Sequence, residues 1–193
     1  ADEEVFIQAD KVVLGWVETS GRKIPRIMGG PHPTYFPEIL SKMDLDAICV
    51  GDGDNALATI LERLQLGKNL FDIPNIVPKG GDINGMEKEL VHDMDSLPYL
   101  DRELLYRDSP DLLDQGIRSF QTQRGCPYTC TFCNSPMHNS NVKKDEISHN
   151  FLRRKTLDKV REEILSLKEK YNPNFLYTPR GLPVIAQRLR IRT

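Results

Sequence analysis

The sequence has no apolar run approaching the ~20 residues that a membrane-crossing helix needs. Its long apolar stretches, such as Val12-Val13-Leu14 and Ala47-Ile48-Cys49-Val50, are only three and four residues long, and no secretory signal precedes them. A dominant charge sign is also missing: 26 Lys and Arg against 28 Asp and Glu leave a net charge of −2. The molecule therefore offers no broad positive field for a polyanion, which argues against bulk nucleic-acid binding. Internal repeats and low-complexity tracts are absent too. Cysteine is scarce, with four in 193 residues, and its placement argues against disulfides. Cys126, Cys130 and Cys133 share one short stretch while Cys49 sits in an apolar run, a distribution that suits a metal site in a reducing cytoplasm.

What is present reads as strands alternating with helices. Residues 2 to 18 set Val5, Ala9, Val12, Val13 and Trp16 at helical spacing, with Gly21 as a stop. IPRIMGG (24 to 30) reads as a strand ending in a glycine turn, and PHPT (31 to 34) as a loop, because two prolines deny it a ladder. FPEILSKM reads as a short helix. DAICVGDGD (46 to 54) repeats the buried strand that breaks at glycine, and NALATILERLQLG as a helix closed by Gly67. This alternation implies a parallel α/β sheet, with ligands expected where the strands end.

From residue 70 to 116 the pattern loosens, with prolines at 74, 78, 98 and 110, into a linker with a small β element. IRSFQTQ (117 to 123) is a strand leading into the cysteine stretch. TLDKVREEILSLKEKYN then puts Leu157, Val160, Ile164, Leu167 and Tyr171 on one helix face with Thr156 as N-cap, and NFLY (174 to 177) opens another strand. The chain begins with Ala, and its last residues, YTPRGLPVIAQRLRIRT, resolve into no capped element, so the expectation is a piece of a longer protein.

RGCPYTCTFCNSP (124 to 136) places three thiols at spacings that let them converge on one centre. Structural zinc prefers four tetrahedral ligands, and His138, five residues past Cys133, is the nearest candidate for the fourth. That is the zinc reading, a small interaction module built on Cys126, Cys130, Cys133 and His138. A [4Fe–4S] cluster normally takes four cysteines, so three leave one iron without a protein ligand and open to chemistry. Cys49, inside AICVG, reads as a buried core thiol. His32 reads as a loop-stabilising residue, and His92, His138 and His149 as solvated.

CPYTCTFC, after a strand and opening a βα unit, resembles the C-x3-C-x-aromatic-C signature of the radical S-adenosylmethionine enzymes. The resemblance implies that Cys126, Cys130 and Cys133 hold a [4Fe–4S] cluster whose fourth iron is chelated by the amino and carboxylate groups of S-adenosylmethionine, with Phe132 against the adenine. Reductive cleavage of the sulfonium would then give a 5′-deoxyadenosyl radical that abstracts hydrogen from a small-molecule substrate. An electron donor such as flavodoxin or ferredoxin is implied as partner.

The order MGGPHPT, DAICVGDGDNALATILERL and DSLPYLDRELL further resembles the subset with an amino-terminal cobalamin-binding domain, such as the anaerobic magnesium-protoporphyrin monomethyl ester cyclase group and related cobalamin-dependent methylases. By that resemblance Gly29 and Gly30 let backbone approach the nucleotide tail of cobalamin, and GDGD (51 to 54) corresponds to a G-E-G-E motif. The D-x-H-x-x-G segment that opens this domain elsewhere does not occur here. The implied fold class is α/β. It comprises the C-terminal part of a flavodoxin-like (Rossmann-like) cobalamin-binding domain over 1–69, the linker over 70–116, the start of a partial TIM-type radical barrel with the cluster loop over 117–177, and an atypical tail over 178–193. The implied parent reaction is cobalamin-dependent methylation or oxidative cyclisation at an unactivated carbon. With one βα unit of the barrel and the start of a second, the chain alone is expected not to turn over.

Overall fold

The structure is a computed structural model that describes residues 3–22, 24–70, 72–126, 128, 130–134 and 152–178. The chain divides into two compact units, one of Ala1–Val91 with Cys130–Val142 and the other of His92–Thr129 with Lys143–Thr193.

In the first unit, helix α1 (Glu3–Ser20) precedes strand β1 (Ile27–Met28), short helices α2 (Pro31–Tyr35) and α3 (Ile39–Lys42), strand β2 (Ala47–Cys49), helix α4 (Asp54–Gln65) and strand β3 (Ile76–Pro78). The sheet order is β1-β2-β3. β1 runs parallel to β2 with Met28 opposite Ile48, and β3 runs antiparallel to β2 with Val77 opposite Ile48. β2 is the spine of this unit, and the two-residue alternation of a strand decides what it does. Ile48 and Val50 join Ile39, Leu40, Met43, Leu45 and Val77 on one face. Ala47 and Cys49 join Ala56, Ile60, Leu70, Ile73 and Ile76 on the other. Helices therefore cover both faces, and the run AICV is apolar throughout because neither face of β2 meets water. Ile48 is 0% exposed, a burial that contributes roughly 1.5–3 kcal/mol.

Two local expectations changed and a third held. PHPT is not a loop: Pro31 and Pro33 open α2, where the first helical N–H groups have no intrahelical partner and proline gives up nothing. α1 is present, but the stripe read as its packing face points outward, with Val5 63%, Val12 74% and Trp16 54% exposed. Phe6 and Ile7 instead pack on the core beside Ile39 and Ile48. The helix is apolar around most of its circumference, so periodicity alone favoured the wrong stripe. α4 ends as expected at Gly67 (φ +62), where the Lys68 amide donates to the Arg63 carbonyl at 2.9 Å and the Gly67 amide to the Leu64 carbonyl at 3.3 Å.

In the second unit, helices α5 (Glu103–Asp108) and α6 (Pro110–Asp114) lead to strand β4 (Ile117–Ser119). Strands β5 (Gln123–Arg124) and β6 (Arg153–Arg154), helix α7 (Leu157–Tyr171) and strand β7 (Phe175–Tyr177) follow. β4 and β7 are parallel neighbours with Arg118 opposite Leu176, so the chain between them, α7 included, forms a crossover of the βαβ kind. The expected single strand over 117 to 123 is broken in two: β4 pairs with β7, and β5 pairs antiparallel with β6, Arg124 opposite Arg153. Thr156 caps α7 by accepting from the Lys159 amide at 3.3 Å, and its own amide and hydroxyl donate to the Asp95 carboxylate at 3.0 and 2.6 Å. Of the apolar face read for this helix, Leu167 is buried while Leu157, at the first turn, is 87% exposed.

Candidate functional site

Two glycine-bearing loops leave the carboxyl ends of the parallel pair: Gly29-Gly30 after β1 and Gly51-Asp52-Gly53 after β2. This is the edge at which open α/β sheets bind ligands. Gly30 has φ +100 and Gly51 φ +87, a backbone region that side chains rarely enter, and a Cβ added to either would meet no atom within 4 Å. Backbone conformation selects glycine at both positions, and the backbone there faces open space. Gly29 differs, since its Cβ would make an ordinary 3.6 Å contact with that of Cys49.

Two residues that sequence reasoning passed over hold these loops. The buried Thr34 hydroxyl donates to the Gly30 carbonyl at 2.8 Å and accepts from the Gly51 amide at 3.0 Å, so it joins one loop to the other. Asn75 sits in the left-handed region at φ +65 and is buried. Its side-chain amide donates to the carbonyls of Asp52 and Glu89, both at 2.7 Å, and its main-chain carbonyl accepts from the Val50 amide at 2.9 Å. Asp52 in turn accepts the Val91 amide at 3.0 Å. An asparagine in a turn segment such as IPNIV tolerates positive φ, and that was the available signal for Asn75. Thr34 offered none, because a lone threonine between prolines and aromatics marks nothing.

Cys49 lies beneath the same edge. Burial pushes its thiol up to about 11, and the Asp52 and Asp54 carboxylates add to the effect. It is a core thiol, as read from the sequence. His32 is half-buried, its ring 4.8 Å from that of Phe6 and 5.3 Å from that of Phe36, and its carbonyl accepts the Phe36 amide. The histidine thus anchors α2 within the loop region.

The cysteine stretch leaves β5. Cys126 is half-exposed and belongs to the second unit; Cys130 and Cys133 are exposed and belong to the first, where the Cys133 amide donates to the Cys130 carbonyl at 3.1 Å and closes a turn. None of the three is in a disulfide, and Phe132 within that turn is 91% exposed. Soft, accessible thiols outside any disulfide are the donor set that an iron–sulfur cluster or zinc takes. Among the described residues no three His, Cys, Asp or Glu side chains are gathered closely enough to hold a metal ion. His138, the fourth ligand of the zinc reading, and His149 lie outside the described residues, and His92 is exposed. The β5–β6 pairing sets Arg153 and Arg154 beside Arg124, two residues before Cys126.

A cleft of about 170 Å³ in the second unit is lined by Tyr99, Arg102, Glu163, Lys170 and Tyr171. Its charged groups satisfy one another or their neighbours. Glu163 accepts from Lys155 at 2.6 Å, and Lys170 lies 3.0 Å from Glu103.

No protein-family model matches the sequence. Among curated proteins the chain is 30% identical to an uncharacterized methyltransferase of Pyrococcus horikoshii, an alignment covering 58% of this chain and 25% of the relative. It is 24% identical to the cytidylyl-2-hydroxyethylphosphonate methyltransferase of Streptomyces wedmorensis, covering 75% of this chain and 32% of the relative. The chain therefore spans about a quarter to a third of the length of these relatives. Among solved structures, the cobalamin-dependent S-adenosylmethionine radical enzyme OxsB, with aqua-cobalamin and S-adenosylmethionine bound, superposes over 93% of this chain and 25% of its own at 19% identity with a TM-score of 0.65. The radical S-adenosylmethionine methyltransferase TsrM of Kitasatospora setae matches 80% of this chain and 29% of its own at 17% identity and a TM-score of 0.52.

These likenesses establish the fold. It is a mixed α/β chain carrying the C-terminal part of a flavodoxin-like domain, followed by the first βα unit of a partial barrel; no closed barrel occurs among the described residues. No helix among the described residues is long and apolar enough to cross a membrane.

Proposed function

We propose that the chain is part of a cobalamin-dependent radical S-adenosylmethionine methyltransferase, acting on an unactivated carbon of a small-molecule substrate. The observation that carries this reading is the likeness to OxsB across 93% of the chain, both units included, in a sequence whose three clustered thiols follow β5. The resemblance drawn from the sequence left methylation and ring closure both open. Curated relatives that are named methyltransferases favour methylation.

In this reading Cys126, Cys130 and Cys133 hold a [4Fe–4S] cluster, which supplies the electron that cleaves S-adenosylmethionine. Metal binding commonly does the gathering of ligands that the bare chain leaves apart. Phe132, exposed beside Cys133, offers its ring to the adenine. Gly29 and Gly30 present backbone to the nucleotide tail of cobalamin, and the open space beyond Gly30 and Gly51 fits a ligand lying along the sheet edge. The domain arrangement that goes with this is a partial cobalamin-binding domain over 1–69, a linker over 70–116, the start of the barrel over 117–177 and a tail beyond. A cytoplasmic setting, with flavodoxin or ferredoxin as electron donor, suits a reduced cluster on cysteines outside disulfides.

The test is anaerobic reconstitution with iron and sulfide. A brown protein carrying four irons per chain, lost on Cys126→Ser, Cys130→Ser or Cys133→Ser but not on His138→Ala, supports the cluster. A colourless protein that takes up one zinc and loses it on His138→Ala sinks the cluster and leaves the zinc module in its place.

A further inference from the structure

We propose that Thr34 is a positioning residue for the nucleotide tail of the corrinoid: its hydroxyl locks the two glycine loops at the carboxyl edge of β1 and β2 into one surface. It thereby sets a preference for a ligand that carries the tail. The inference rests on the cobalamin reading given above.

The hydroxyl uses both of its capacities, donating to the Gly30 carbonyl at 2.8 Å and accepting from the Gly51 amide at 3.0 Å. Gly30 and Gly51 are the residues of these loops whose backbone lies in the left-handed region, and the space beyond each is open. Thr34 is 6% exposed, so its two bonds are shielded from competing water. Asn75 fixes the second loop from its own side, through the Asp52 carbonyl. Thr34 is what ties that loop to the first.

A ligand that lies across both loops meets two halves already in register, and less ordering is required of the protein on binding. A corrinoid that lacks the tail gains nothing from that register. Removing the hydroxyl while keeping its shape therefore weakens binding of the tailed ligand alone.

The experiment titrates the whole chain with two probes, cobalamin and cobinamide, the second lacking the nucleotide tail. The wild type binds cobalamin more tightly than cobinamide. Thr34→Val lowers cobalamin affinity about tenfold and leaves cobinamide affinity unchanged, and Thr34→Ser restores the preference. Amide exchange in the wild type gives a readout that needs no variant to fold: cobalamin slows exchange at Gly30 and Gly51, and cobinamide does not. Equal loss of both ligands in Thr34→Val, no loss of either, or equal protection of the two amides by both probes overturns the role of Thr34 and leaves the cobalamin reading standing. A wild type that binds both probes with the same affinity does so too. A wild type that binds neither overturns the cobalamin reading and this inference with it.

Discussion

Asn75 and Glu89 hold each other reciprocally: the Asn75 side-chain amide donates to the Glu89 carbonyl at 2.7 Å, and the Glu89 amide donates to the Asn75 side-chain oxygen at 2.9 Å. The pairing imitates a rung of sheet without a strand, and it pins residues 87 to 91 alongside the loop that follows β2. Since the same side chain also holds the Asp52 carbonyl, one buried amide organises two segments of the candidate site.

Replacing it separates two effects. Asn75→Ala loses three side-chain hydrogen bonds and leaves an alanine at φ +65, for a combined destabilisation of roughly 3–5 kcal/mol. Asn75→Gly loses the same bonds without the backbone strain and should recover ~1 kcal/mol of that. Urea unfolding measures both; a glycine variant less stable than the alanine variant contradicts the strain argument.

Glu163 makes a second case. Its carboxylate, 5% exposed, accepts from Lys155 at 2.6 Å and lies 3.9 Å from Arg102, which itself donates to the Ser119 carbonyl at 2.7 Å. One buried acid thus binds α7 to the residue following β6 and to the chain before α5. Glu163→Gln leaves two buried cations short of their counter-charge and should cost about 3 kcal/mol, read from the unfolding midpoint. A cost below about 1 kcal/mol would show that water already screens the cluster.

What the sequence disclosed and what it hid divide along physical lines. Local signals held where the chemistry is local: Gly67 closes α4, Thr156 caps α7, and AICV is a strand buried on both faces. The glycine pair after β1 and the GDGD after β2 lie where the sequence placed them, at the ends of two strands, which the structure pairs in parallel. Side-chain bonds across distance left no trace, so Thr34, which reaches Gly51 17 positions away, and Asn75, which reaches Asp52 23 positions away, emerged only from the fold. The outward face of α1 was misread for a different reason. Its Val5, Val12 and Trp16 repeat as regularly as Phe6 and Ile7 do, and only the position of β2 and α3 decides which set is buried.

Acid should loosen the start of α7. The Thr156 hydroxyl donating to Asp95 holds that carboxyl below its ordinary value of 3.8, assisted by the Thr156 amide and by Lys159 and Lys155. A depressed acid contributes stability above its unfolded value, and the contribution is lost as pH falls through the folded value. The loss therefore falls on the acid side of pH ~4. Asp44, lowered by Lys79 and Arg26, and Glu103, lowered by Tyr171 and Lys170, act in the same window. Melting temperature followed from neutral pH into that window should drop less steeply in Asp95→Asn than in the wild type. Parallel curves would remove Asp95 from the account.

The four cysteines should react as two classes. Alkylation proceeds through the thiolate, and Cys49 combines burial with a thiol pushed up to about 11, so near pH 8 it presents neither an anion nor a path for reagent. Cys130 and Cys133 are exposed and Cys126 half-exposed, none of them in a disulfide. Brief treatment of the metal-free folded chain with iodoacetamide should label Cys126, Cys130 and Cys133 and spare Cys49, with the fourth adduct forming once urea is added; peptide mass spectrometry locates each. Loading the reconstituted cluster should then protect the same three, because a thiolate engaged to iron is no longer a free nucleophile. Protection of only two, with Cys126 still labelled, would mean that β5 does not deliver its cysteine to the metal and that the coordination assigned to the loop is wrong.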